Sequence, residues 1–67
     1  MNIIHEEIKK IEQNIINEFG KDNITDLQVN LNLDYHGEYF AYWAVLKNNR
    51  WVDYRRYYNR DGTIKNI

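Results

Sequence analysis

Between Leu27 and Tyr35 every odd position is apolar or aromatic and every even position is polar. Leu27, Val29, Leu31, Leu33 and Tyr35 alternate with Gln28, Asn30, Asn32 and Asp34. A period of two describes a strand with one face in a core and the other in water. Such a strand needs neighbours, and the chain has 67 residues in which to supply them. A chain of that size buries only about 60 % of its unfolded surface, so one core and one domain, residues 1–67, are all it can build.

The rest of the pattern supplies the neighbours. Ile4, Ile8, Ile11, Ile15 and Phe19 recur at steps of three and four, which predicts an amphipathic helix over 3–19. Asn2 is placed to cap its start and Gly20 to end it. Residues 21–23 form a turn. His36-Gly37 suits a two-residue hairpin turn, and Asn48-Asn49 suits a second, because Asn tolerates positive φ. These turns delimit two more strands, 39–47 and 50–58. The segment Asn59 to Gly62 reads as a turn, and residues 63–67 can add a short fourth strand. The expected fold is therefore α+β: an N-terminal amphipathic helix on one face of a three-stranded antiparallel meander, in the order α-β-β-β.

Register decides which side chains the helix covers. Two-residue loops set Leu33 opposite Phe40, Leu31 opposite Tyr42, Val29 opposite Ala44 and Leu27 opposite Leu46. The covered face then continues as Trp51, Asp53, Arg55 and Tyr57. The uncovered face holds Tyr39, Trp43, Val45, Val52, Tyr54, Arg56 and Tyr58. A three-residue first loop exchanges the faces: Ala41, Trp43 and Val45 go inside, and Phe40, Tyr42, Leu46, Trp51 and Tyr57 stay outside. Aromatics make up 15 % of the chain. Either register therefore leaves large rings on a face that nothing else in the sequence is long enough to cover. Contiguous exposed rings mark interaction surfaces, and Tyr, Trp and Arg dominate binding hot spots.

Charge is divided along the chain. Residues 1–38 carry three Lys against eight Asp and Glu, and residues 39–67 carry six Lys and Arg against two Asp. Either this marks a binding face, or helix and sheet attract each other's excess. The segment Arg50 to Arg60 interleaves four Arg with Trp51, Tyr54, Tyr57 and Tyr58. Arg forms forked bonds to carboxylate or phosphate and stacks on rings. Such a segment suits an acidic protein surface or an unpaired nucleic-acid strand.

Catalytic chemistry has little to work with. There is no Ser and no Cys, and the three glycines are isolated. His5 and His36 lie far apart in the chain and read as surface residues. Asp34, His36 and Glu38 alternate across a tight turn, where alternation does not bring side chains together, so no metal and no cofactor is expected. Without cysteine no disulfide forms, consistent with a reducing compartment. The early apolar residues are interrupted by Glu6, Glu7, Lys9 and Lys10, unlike a signal peptide, and no apolar run reaches the roughly 18 residues of a membrane span. A cytoplasmic location is expected.

The functional expectation is a non-catalytic protein-binding module of inhibitor or adaptor type, a profile shared by small phage and mobile-element proteins such as anti-CRISPR and immunity proteins. The expected partner-binding residues are Tyr39, Trp43, Tyr54, Arg55, Arg56, Tyr58 and Arg60. The alternatives are single-stranded nucleic-acid binding through residues 50–60, for which the mildly acidic pI of about 6.0 is unfavourable, and a homodimer formed through the aromatic face or an edge strand.

Overall fold

The stripe of isoleucines builds the expected helix, α1, over Ile3–Phe19. In the computed structural model, which describes residues 3–32 and 38–65, Ile11 and Ile15 are fully buried. Ile8 and Phe19 pack at the margin of the core, and Ile3 and Ile4 stay exposed at the helix start. Burying each of the two central isoleucines contributes about 2 kcal/mol. The helix stops at Gly20, whose φ of 90° excludes most side chains; an added Cβ would also lie 3.0 Å from the Asn23 Nδ2. The Gly20 amide donates to the Ile16 carbonyl and the Asn23 side chain to the Phe19 carbonyl, satisfying the last turn. The predicted cap at Asn2 lies outside the described residues.

A single 3₁₀ turn, Lys21–Asn23, leads into β1 (Ile24–Leu31), followed by β2 (Tyr39–Lys47) and β3 (Arg50–Tyr58). The three strands form one antiparallel sheet in chain order, giving the expected α-β-β-β arrangement. β2 and β3 pair without interruption from Tyr39↔Tyr58 to Lys47↔Arg50. Asn48 and Asn49 close this hairpin with φ of 51° and 62°, the two left-handed residues of a type I′ turn.

The first hairpin departs from expectation. Leu31 faces Tyr39 and Val29 faces Ala41, a shift of three positions from the register that two-residue loops impose. The Asn32 amide donates to the Glu38 carbonyl, which carries the pairing beyond Leu31 and Tyr39. The predicted turn at His36-Gly37 lies outside the described residues, as do Leu33, Asp34 and Tyr35. Because side chains alternate, an odd shift exchanges the two faces of β2, and β3 follows it. Ala41, Trp43, Val45, Tyr39 and Tyr58 are therefore buried under the helix, with Val29 from β1.

β1 also carries a bulge. Its register slips between Thr25 and Gln28, where Asp26 sits at φ 56°. Asp is among the few residues that tolerate this conformation. Beyond β3 the chain turns at Asn59–Gly62 and returns for one bridge, Tyr58↔Ile64; among the described residues there is no fourth strand. Gly62 lies against Lys10 and Asn14 of the helix with φ 91°, and Asn14 donates to its carbonyl. No helix among the described residues is long and apolar enough to cross a membrane.

Candidate interaction surface

The register decides where each expected binding residue lies. Tyr39, Trp43 and Tyr58 are core residues, not surface ones, and Trp43 is only 2 % exposed. Trp43 stacks on Tyr54 at 5.8 Å and tilts against Phe19 at 5.6 Å. Tyr54 meets the Phe19 ring edge-on at 5.2 Å, and Lys47 closes over it from the rim, donating to its hydroxyl. These contacts join helix to sheet. The expectation that these rings form an uncovered face is corrected: the helix is what covers them.

The arginines divide in the same way. Arg56 reaches from β3 to the helix and grips Glu18 with both terminal nitrogens, at 2.6 and 2.7 Å. Its guanidinium also lies 5.4 Å from the centre of the Trp43 ring and donates to the Tyr58 hydroxyl. The Glu18 bond holds the Arg56 pKa further up, and the same bond draws Glu18 below the usual carboxylate range. Arg60 stands on the turn after β3, with Nε 3.4 Å from Glu7. Glu7 also accepts from the buried Tyr39 hydroxyl, which lowers the Glu7 pKa. Burial, and then Glu7, push Tyr39 up to about 12. Two of the six Lys and Arg of residues 39–67 thus join the chain's second half to the helix.

Of the expected residues only Arg55 belongs to the open face. That face reads across the strands as rows: Leu46–Trp51, Thr25–Ala44–Asp53, Gln28–Tyr42–Arg55 and Asn30–Phe40–Tyr57. Trp51 is 54 % exposed, Tyr42 39 % and Leu46 38 %. Phe40 lies 5.1 Å from Tyr57 and 5.9 Å from Tyr42, so the rings form one cluster rather than scattered residues. Beside this cluster the small side chain of Ala44 leaves a hollow of about 540 Å³, open on its solvent side. Phe40, Tyr42, Asp26, Asp53 and Arg55 line it. The bulge places Asp26 there. Among the described residues, the side chains of Asp26, Asp53 and Arg55 take part in no ion pair or hydrogen bond with another side chain.

The sequence held a signal for this arrangement. The register with two tight turns places both Asp53 and Arg55 beneath the helix. The other leaves both on the open face and brings Arg56 to a rim where Glu18 can meet it. Burying charge is costly unless it is paired, and this favours the second register. Asp26 carried no such signal, because nothing in its spacing marks a bulge. The chain matches no family model, no curated protein and no solved structure.

Proposed function

We propose that this protein is a small non-catalytic protein-binding module, of inhibitor or adaptor type, whose working surface is the open face of the sheet. One observation carries the reading: Phe40, Tyr42, Leu46, Trp51 and Tyr57 share the face opposite the helix, three of them more than a third exposed. Clustered rings around a concave centre, with charges at its edge, have the composition of a binding hot spot. The partner is a protein presenting an apolar patch bordered by charge, since the face holds both Asp53 and Arg55. The absence of Ser and Cys from the sequence favours a role exerted by occupying another protein. The lack of cysteine suits the cytoplasm.

Single-stranded nucleic acid is less well served. Two of the four arginines of the segment 50–60 are engaged by helix glutamates, and the hollow beside the rings carries two carboxylates. Phosphates would meet Arg55 beside Asp53.

The test is affinity capture with crosslinking, in which wild type is compared with Tyr42→Ala, Trp51→Ala and, as a control on the helix side, Gln13→Ala. A discrete partner held by wild type and the control, and lost by both face variants, supports the reading. A partner held equally by all four chains, or a stable homodimer in light scattering that buries Trp51, overturns it.

A further inference from the structure

The hollow over Ala44 has an asymmetry that goes beyond a generic sticky face. Its floor lies in the row Thr25–Ala44–Asp53, and the bulge adds Asp26 beside that row. Both acidic residues are exposed beside the buried Ala44. The single cation of the hollow, Arg55, belongs to the next row, beside Tyr42. The walls are the Tyr42 and Phe40 rings. Two carboxylates without side-chain partners, over a small apolar floor and beside aromatic walls, match a side chain with an apolar stem and a cationic head. A carboxylate entering the same space would meet two like charges against one opposite charge. The volume, about 540 Å³, leaves room for that side chain and part of the backbone that bears it.

We infer that this hollow is the specificity slot of the proposed interface: it receives an arginine or lysine side chain of the partner protein, its head between Asp26 and Asp53 and its stem along Tyr42. The inference rests on the reading of the open face as a protein-binding surface. It adds that the partner's apolar patch has a basic residue at its centre. Asp26 matters doubly, because its positive φ is what brings a carboxylate to the slot from β1.

The test uses the whole protein and a defined probe. N-acetyl-arginine amide is titrated into ¹⁵N-labelled protein, with N-acetyl-glutamate amide and N-acetyl-leucine amide as comparators. Saturable amide shifts confined to Asp26, Tyr42, Ala44 and Asp53, larger with the arginine probe than with either comparator, are the expected result. Asp26→Asn with Asp53→Asn should weaken binding about tenfold, the factor that corresponds to about 1.4 kcal/mol. Asn also accepts positive φ, so the bulge persists, and an otherwise unchanged spectrum verifies the fold. The inference is overturned by shifts spread equally over Glu6 and Glu12 of the helix, by a preference for the glutamate probe, by no localised shift at all, or by unchanged binding in the double variant. If the face alanines abolish partner capture while the double Asn variant keeps it, the slot assignment falls and the protein-binding reading stands.

Discussion

The two faces of this sheet are built from the same three strands by alternate residues, and they treat polar groups in opposite ways. On the covered face polar groups of β2, β3 and the turn after it meet helix glutamates: Tyr39 and Arg60 share Glu7, and Arg56 holds Glu18 and touches Tyr58. On the open face Asp26, Asp53 and Arg55 have no such partners among the described residues. The rings differ likewise. Trp43 is enclosed by Phe19, Tyr54 and Arg56, whereas Trp51 is more than half exposed. The lesson is that aromatic content alone does not identify a binding face. What separates the two is whether the charged groups beside each ring cluster are answered from within the chain.

The largest way to break this comparison is to remove one tryptophan from each face. Trp43→Ala should cost about 3–5 kcal/mol, most of the stability of a domain this small, whereas Trp51→Ala should stay within about 0.5 kcal/mol. Urea unfolding followed by circular dichroism measures both. Equal losses would mean that Trp51 also packs against something within the chain.

Next in size is Tyr39→Phe, which leaves Glu7 with Arg60 alone and should cost on the order of 1–2 kcal/mol. Its pH signature is more specific. The Tyr39 pKa stands at about 12 in the fold, against about 10 for an unfolded tyrosine, so the fold favours the protonated phenol. That contribution is complete below pH 10 and is lost as the pH rises from about 10 to about 12. Wild type should lose more stability across this window than Tyr39→Phe does. On the acid side Glu7 and Glu18 are both lowered, so their contribution is present above the ordinary value of 4.5 and is lost as the pH falls below it. Glu18→Gln should flatten that acid limb.

Smaller still is the arginine pair. Arg56→Lys gives up a two-pronged bond and a ring contact at a partly exposed site and should cost about 1 kcal/mol. Arg55→Lys should change stability by less than about 0.3 kcal/mol, since it has no such bond to lose. If the two substitutions exchanged these values, the assignment of faces would be reversed.

Much of the fold was legible because it rests on local rules. The isoleucine spacing gave α1 its length, and Asn48-Asn49 marked a turn that needs two positive φ values. The surplus of rings on an uncovered face also followed from counting, since it holds in either register. The identity of those rings was not legible from alternation, because one odd shift in the first connection moves every side chain of β2 and β3 across the sheet. Two-residue loops predict Leu31 opposite Tyr42, but Leu31 pairs with Tyr39 instead. The cost of burying Asp53 and Arg55 together was the clue that composition alone could not weigh. The slot was hidden for a different reason: Asp26 reaches it through a bulge, and Ala44 contributes by being small.

The assignment of faces is tested most directly by acrylamide quenching of two single-tryptophan proteins, Trp51→Phe, which keeps Trp43, and Trp43→Phe, which keeps Trp51. The account predicts blue-shifted, weakly quenched emission from Trp43 and red-shifted, strongly quenched emission from Trp51. Shielded emission from Trp51 together with accessible emission from Trp43 would contradict it, and would return the binding surface to Tyr39, Trp43 and Tyr58.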